Sequence, residues 1–155
     1  MRSPPHPDGP EALTALILEV FRLNGRLISS GDRLVSDLNL TSARWQVLGA
    51  AGLAPTPQPV AWLARAMGLH RQGVQRIVNE LVAEGILTLE ENPHHRRARL
   101  VRLTSKGERL FEAADRRQKP WARQLAKGLG SKTIAAARDV LKTLRERLEL
   151  VEAGE

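Results

Sequence analysis

This sequence predicts a mainly α fold of the α+β class, in which a small β element interrupts a series of helices. Apolar residues recur at three- and four-residue spacing, the helical pattern, in residues 11–31, 41–84 and 105–152. Two segments on either side of a polar turn, residues 87–90 and 100–103, instead alternate between apolar and polar side chains apart from Leu100, which is typical of strands. Two short helices followed by a hairpin predict a winged helix-turn-helix over residues 41–104. We expect a single domain over residues 11–155, with longer helices on both sides of that motif.

The N-terminal region is predicted to form a tail and one long helix. Residues 1–10 contain four prolines, one glycine and almost no apolar side chain, so we expect them to be flexible. A helix over residues 11–31 then carries a broad apolar stripe, formed by Leu13, Leu16, Ile17, Val20, Phe21, Leu27 and Ile28. Leu18 and Leu23 lie outside that stripe. A helix that is apolar on more than one side favours burial against a second subunit, although a wholly intramolecular core also fits.

The next helix leads into a proline-rich connector. Thr41 or Ser42 is expected to cap it, and Gly52 to end it. Its inward side consists of Trp45, Leu48 and Ala51. Trp45 is therefore expected to anchor the core. The connector, residues 54–59, contains three prolines, and Pro59 suits the first turn of the following helix because a backbone N–H there would have no partner.

The helix-turn-helix is predicted over residues 60–84. Its first helix has an apolar side of Val60, Leu63, Ala64 and Met67. Gly68 ends that helix, since glycine can take the left-handed conformation that a tight turn needs. The second helix, residues 70–84, buries Val74, Ile77, Val78 and Leu81 and exposes Arg71, Gln72, Gln75, Arg76 and Asn79. Arginine pairs with guanine, and glutamine or asparagine with adenine, so we predict that Arg71, Gln72, Gln75 and Arg76 read bases in a major groove. An ordinary amphipathic surface helix would show the same apolar spacing.

A basic hairpin follows the second helix. Leu87 and Leu89 can face Val101 and Leu103 across an antiparallel pair, and residues 92–95 form the tip. Between residues 96 and 109 there are six basic residues and one acidic residue. This hairpin is the wing of the motif. We expect the wing and the start of the second helix to bind DNA through His70, His95, Arg96, Arg97, Arg99 and Arg102. Charged edge strands that prevent unwanted pairing are the other reading of this pattern.

Two further helices complete the chain. Thr104 is expected to cap a helix with an inner side of Leu110, Phe111 and Ala114, and Pro120 to interrupt it with a kink near Gln118. The helix should continue to Leu129. The last helix starts at Ser131 and carries a heptad seam of Ile134, Ala137, Leu141, Leu144, Leu148 and Val151. Because this seam is too short for a lone coiled coil, we predict that it joins a helical bundle between two subunits.

Three runs of residues resemble the MarR family of winged-helix transcription regulators. They are L-T-x-x-x-W-x-x-L from Leu40 to Leu48, N-P-H-H-R-R-A from Asn92 to Ala98, and L-T-x-K-G from Leu103 to Gly107. The resemblance extends over residues 11–152. The family tip is D-P-x-D-R-R-A, so Asn92 and His95 stand here in place of the two acids.

The resemblance implies a homodimeric repressor that binds an inverted-repeat operator. Arg97 matches the arginine that enters the minor groove, and its usual carboxylate partner is replaced by His95. A small organic effector, an aromatic acid or a phenolic, is implied between the dimerisation helices, residues 11–31 and 105–152, and the DNA-binding motif. We expect Phe21, Trp45 and Phe111 to line that pocket.

The amino-acid composition favours duplex DNA as the binding partner. The formal net charge of +7 favours a polyanion, and the absence of tyrosine with only two phenylalanines argues against a protein that stacks single-stranded bases. A winged-helix module that binds an acidic protein is the other hypothesis.

The sequence also disfavours a disulfide-bonded protein, a metal-binding protein, an enzyme and a membrane protein. Without cysteine there is no disulfide, thiolate metal site or thiol switch. Adjacent His94 and His95 are expected to point to opposite faces of a hairpin, so we expect them not to bind one metal ion together. The sequence contains no catalytic motif and no cofactor-binding motif. No apolar run approaches the roughly 20 residues that span a bilayer, so we expect no membrane partner and a cytoplasmic location.

Overall fold

A computed structural model describes residues 9–154, and within them the predicted fold class is confirmed. The helices are α1 (Gly9–Val35), α2 (Ser42–Leu53), α3 (Val60–Met67), α4 (Arg71–Ala83), α5 (Ser105–Leu125) and α6 (Ser131–Ala153). A short 3₁₀ turn, Ser36–Leu38, follows α1. The strands are β1 (Gln58–Pro59), β2 (Leu87–Glu90) and β3 (Leu100–Leu103).

The chain forms two compact units that meet in sequence within α5. The first ends at Arg117 and contains the helix-turn-helix and the sheet, and the second begins at Gln118 and contains the rest of α5 and α6. This division falls at the position where a kink was predicted. Pro120 does not interrupt the helix, contrary to expectation, because proline removes one backbone hydrogen bond while the turns on either side keep theirs. The helix ends at Leu125 rather than Leu129, and Gly128 takes the left-handed conformation in the turn that follows.

The N-terminal helix is longer than predicted. Residues 1–8 of the expected tail lie outside the described residues, and Gly9 and Pro10 belong to α1. Proline is well suited to a first helical turn because the N–H it lacks would have no partner there. The Thr14 hydroxyl also donates to the Pro10 carbonyl, at 2.9 Å.

The small sheet has three strands in the order β1-β3-β2, all antiparallel. The predicted hairpin register is confirmed, since Leu87 pairs with Leu103 and Leu89 with Val101. The strand β1 was not predicted, because two residues in a proline-rich connector leave no alternating pattern. Pro59 lies in β1 rather than in the first turn of α3. Proline is tolerated in an edge strand because the N–H that it lacks is not needed for pairing on the outer side.

The core lies within the helix-turn-helix unit. Its fully buried large side chains are Leu48, Leu63, Leu81, Leu87, Val35, Val47, Val74, Val78 and Val101. By contrast, large apolar side chains of α1 and α6 are exposed in the single chain, among them Leu13, Ile17, Phe21, Ile28, Ile134, Leu141, Leu148 and Val151. None of the helices in the described chain combines the length and apolar character needed to cross a membrane.

Candidate nucleic-acid interface

The recognition helix α4 separates a buried side from an exposed polar side, as its spacing predicts. Its inward residues Val74, Ile77, Val78 and Leu81 are all buried. Gly68, with φ of 62°, makes the turn that brings α4 against α3. The predicted base-reading residues Arg71, Gln72 and Arg76 are exposed, and Gln75 is half-buried. His70 is the N-cap residue of α4 and is exposed.

Two of these polar side chains have partners on the helix itself. Gln75 Nε2 donates to Asn79 Oδ1 at 3.0 Å, and Arg76 Nη1 lies 3.1 Å from Glu80 Oε1. Both contacts are at the surface, where ion pairs contribute only about 0 to 1 kcal/mol. DNA bases can therefore replace these partners at small cost.

The tip of the wing is closed by Asn92. Its Oδ1 accepts from the His94 N–H at 3.0 Å, and its Nδ2 donates to the Ala98 carbonyl at 2.9 Å. This is the Asx-type turn that an aspartate also makes, except that the amide adds a donor. Asn92 therefore forms the local closure where the family pattern has its first acid. His95 and Arg97, by contrast, are exposed, and Arg97 has no side-chain hydrogen bond to any described residue.

Part of the basic run serves the protein's own structure. Arg102 Nε lies 2.5 Å from Glu90 Oε1, and Arg99 Nη2 donates to the Leu89 carbonyl at 2.7 Å. Lys106 Nζ donates to the Glu84 carbonyl at 2.8 Å, at the end of α4. These intramolecular contacts were not predicted from the sequence. The alternation that places Glu90 and Arg102 outward on neighbouring strands could have indicated the first of them.

Arginines of α4 and of the wing line the same cleft. It has a volume of about 240 Å³, and its polar lining comes from Arg71 and Gln75 on one side and Arg97 and Arg99 on the other. Residues that are far apart in sequence thus form one basic, concave surface beside the exposed side of α4.

The three aromatic residues predicted to form one pocket lie in different surroundings. Phe111 lines a cavity of about 370 Å³ between the end of α2, the proline-rich connector, β3 and the start of α5. Phe21 is exposed on α1 and borders a different depression. Trp45 is half-buried against the core and lies near Gly31 of α1.

Candidate metal-binding groups and shifted pKa values were compared across residues 9–154. These residues contain no group of three side chains able to hold a metal ion. The clear pKa shifts among them belong to an ion pair, Asp37 and Arg117, outside the basic surface.

The fold and the basic surface together define a winged helix-turn-helix protein. A family model described as MarR family matches residues 38–98. The chain is 35% identical over 134 residues to an uncharacterised protein of Mycobacterium tuberculosis, covering 86% of this chain and 92% of that one. This chain belongs to the MarR family.

The chain is also similar to a named bacterial protein and to a solved structure. The transcriptional activatory protein BadR of Rhodopseudomonas palustris is 29% identical over 105 residues, which are 66% of this chain and 59% of BadR. The crystal structure of CouR from Rhodococcus jostii RHA1 bound to p-coumaroyl-CoA has a TM-score of 0.76 at 22% identity, covering 84% of this chain and 91% of CouR. As a family member, the protein is a DNA-binding transcriptional regulator and not an enzyme.

Proposed function

We propose that this protein is a homodimeric, sequence-specific repressor that binds an inverted-repeat operator and releases it in response to a small aromatic molecule. The cleft in which Arg71 and Gln75 of α4 face Arg97 and Arg99 of the wing carries this proposal. A polar helix beside a basic finger fits adjacent grooves of one duplex, since the helix fills a major groove and the finger reaches a minor groove.

Roles within the surface follow from exposure and existing partners. Arg71, Gln72, Gln75 and Arg76 read bases, because they occupy the outward side of α4. Arg97 enters the minor groove, and the exposed His70, His95 and Arg96 contact the DNA backbone. Arg99 and Arg102 hold the hairpin and add positive charge toward the phosphates.

Dimerisation rests on the apolar surface that a single chain leaves in water. Ile17 and Phe21 of α1 are 41% and 70% exposed, and Leu141 and Leu148 of α6 are 41% and 66% exposed. Large apolar side chains left exposed along each of these helices mark a protein interface. Two copies related by a twofold axis would present two α4 helices to half-sites about 34 Å apart, which gives the operator its inverted repeat.

The cavity at Phe111 is the proposed effector site. Apolar side chains of Val101, Leu103 and Phe111 can cover an aromatic ring. Glu108 and Glu112 also line it, and their carboxylates repel an anion. An uncharged phenolic therefore fits this cavity better than an aromatic acid or the phosphate-bearing thioester that CouR holds.

Quantitative binding to the DNA upstream of the protein's own gene tests the proposal. We expect the protein to protect a DNA segment that contains two half-sites and to bind it as two chains per duplex. The complex should persist in the presence of excess random DNA. Equal affinity for random DNA would contradict sequence-specific regulation, and capture of an acidic protein instead would favour the interaction-module hypothesis. A reporter behind the protected segment distinguishes repression from activation, because only repression is relieved when the protein is deleted.

A further inference from the structure

The C-terminal end of α4 is held by side chains from two other elements. Glu84 is the C-cap residue of α4. Its carboxylate Oε2 lies 2.6 Å from Arg44 Nη2 of α2, and its carbonyl accepts from Lys106 Nζ at 2.8 Å. Arg44 and Glu84 are 40 residues apart in sequence, so this pair fixes the end of α4 to a distant part of the fold.

Arg44 is unlike the surface arginines of this protein. Its side chain is only 17% exposed, whereas that of Arg76 in the α4 pair is 73% exposed. Arg44 Nη1 also donates to the Asn39 carbonyl at 3.1 Å, and its Nε is buried without a hydrogen-bond partner. A charged hydrogen bond that is shielded from water is stronger than a solvated one, and removing one partner leaves the other charge poorly compensated.

The same turn of α2 is attached to α1. The Ser42 N–H donates to Asp32 Oδ1 at 2.6 Å, and the Ser42 hydroxyl donates to the Ile28 carbonyl at 3.0 Å. A side chain on Gly31 would place its Cβ 2.2 Å from the Ser42 oxygen, so glycine permits this close approach. The first turn of α2 thus touches α1 through Ser42 and α4 through Arg44.

We infer that Arg44 is a positioning residue for the recognition helix, acting through Glu84. The first turn of α2 thereby fixes the end of α4 to α1. This inference rests on the proposed DNA-reading role of α4. Because bases are read by short directional hydrogen bonds, a small shift of α4 costs specific affinity, while long-range attraction to phosphates is hardly changed. The Arg44 guanidinium is mostly enclosed and already bonded to Glu84 and to the Asn39 carbonyl, so it is poorly placed to contact a phosphate.

A double-mutant cycle with Arg44→Ala and Glu84→Ala tests this role. Glu84 is at an exposed helix end, so the Glu84→Ala protein should fold even if Arg44→Ala does not. We expect each variant to lower affinity for the selected operator roughly three- to thirtyfold, with unchanged affinity for random duplex and an unchanged salt slope. The double variant should lose no more than the stronger single variant. Reversing the pair, with Arg44→Glu and Glu84→Arg together, should recover part of the loss.

Arg117→Ala is the matched control, because Arg117 forms a comparable ion pair with Asp37 in the same unit and its hydrogen bonds among the described residues go to Asp37 and Ala113 rather than to α4. We expect it to lower the unfolding midpoint with little change in operator preference. An equal loss of operator preference in Arg117→Ala would reduce Arg44 to a general structural role and overturn the inference. So would unchanged operator affinity in Arg44→Ala and Glu84→Ala, or a weakening toward all DNA with a flatter salt slope.

Amide hydrogen exchange at residues 79–86 separates this inference from the proposed function. Faster exchange there in Glu84→Ala than in Arg117→Ala supports the positioning role in the free protein, and equal exchange contradicts it. A wild-type protein with no preference among duplexes would instead contradict the proposed function, and exchange would still show whether Arg44 holds the helix.

Discussion

Arg76 shows what DNA must displace to be read by this protein. Its guanidinium lies 3.1 Å from Glu80 Oε1 on the solvent side of α4. Arg96, next to the tip of the wing, is also exposed and belongs to the wing rather than to the helix that we assign to base reading. These two arginines therefore allow base reading and phosphate binding to be measured separately.

Arg76→Ala should relax the preference for one base in each half-site, at a cost of about 1 to 3 kcal/mol against the preferred base. Arg96→Ala is the control, and it should weaken binding to all duplexes alike and reduce the salt slope by about one. Titrations of operator and single-base variants at several salt concentrations measure both effects. Equal weakening by Arg76→Ala at every sequence would contradict its assignment as a base reader.

His95→Asp should tighten operator binding. His95 occupies the position of the family acid beside Arg97, and a carboxylate there can orient that guanidinium toward the minor groove. His94→Asp adds the same negative charge one residue earlier, where the family pattern has no acid, and should weaken binding. Anisotropy titrations of both variants compare them directly, and weaker binding by both would show that charge outweighs orientation.

The residues of the motif L-T-x-K-G, at the start of α5, each make a specific contact. Thr104 Oγ1 accepts from the Gly107 N–H at 3.1 Å and caps the helix. Lys106 donates to the carbonyl at the end of α4, as described above. Gly107 is buried, and a Cβ there would lie 2.1 Å from the Ile86 carbonyl oxygen. Three motif residues thus attach the start of α5 to the end of α4 and to the backbone that leads into β2.

Gly107→Ala should destabilise the protein by about 1 to 3 kcal/mol, because the added methyl group overlaps backbone that cannot easily move. Gly49→Ala is a suitable comparison, since its Cβ would meet no atom within 4 Å and alanine is favoured over glycine within a helix by about 0.5 to 1 kcal/mol. Chemical unfolding measures both changes. A Gly107→Ala protein as stable as the wild type would contradict the close packing of α5 against the Ile86 backbone that precedes β2.

The 3₁₀ turn is tied to α5 by Asp37 and Arg117. Arg117 Nε donates to Asp37 Oδ1 at 3.0 Å, and a second hydrogen bond joins Nη2 to Oδ2. The hydrogen bonds from Arg117 lower the pKa of Asp37 below its ordinary value of 3.8. A lowered pKa in the folded state means that the pair stabilises the fold above the ordinary value and loses this contribution as pH falls through the lowered one.

Asp37→Asn should therefore lower the unfolding midpoint at neutral pH by a small amount, because the pair is exposed to solvent. The difference from wild type should shrink as the pH is taken below about 4. Thermal unfolding between pH 3 and pH 7, at constant salt, follows it. A difference that stays constant over this range would show that the charge of Asp37 contributes nothing.

Local patterns predicted most of the elements and few of the contacts between them. The spacing of Val74, Ile77, Val78 and Leu81 is enough to place α4, and the alternation of Leu87 and Leu89 is enough to set the hairpin register. The partners of Arg44 and Lys106 were not predictable, because both pairs join residues brought together only by the folded core. The strand β1 was missed for a different reason, since its pairing depends on β3 and not on its own two residues.

At the scale of the whole molecule, net charge and exposed apolar surface act without regard to DNA sequence. Charge on the chain, +7 in total, attracts any polyanion, and exposed apolar side chains on α1 and α6 favour a second copy. Neither feature selects a DNA sequence. Selection has to come from the exposed side of α4, presented twice with a fixed spacing.

Selection of bound duplexes from a random pool, at moderate ionic strength, tests this claim most directly. Moderate salt is essential because it weakens attraction to phosphates while leaving base contacts in place. We predict enrichment of an inverted repeat with half-sites about one helical turn apart. A pool that stays random, or one enriched only in a single half-site, would contradict the account.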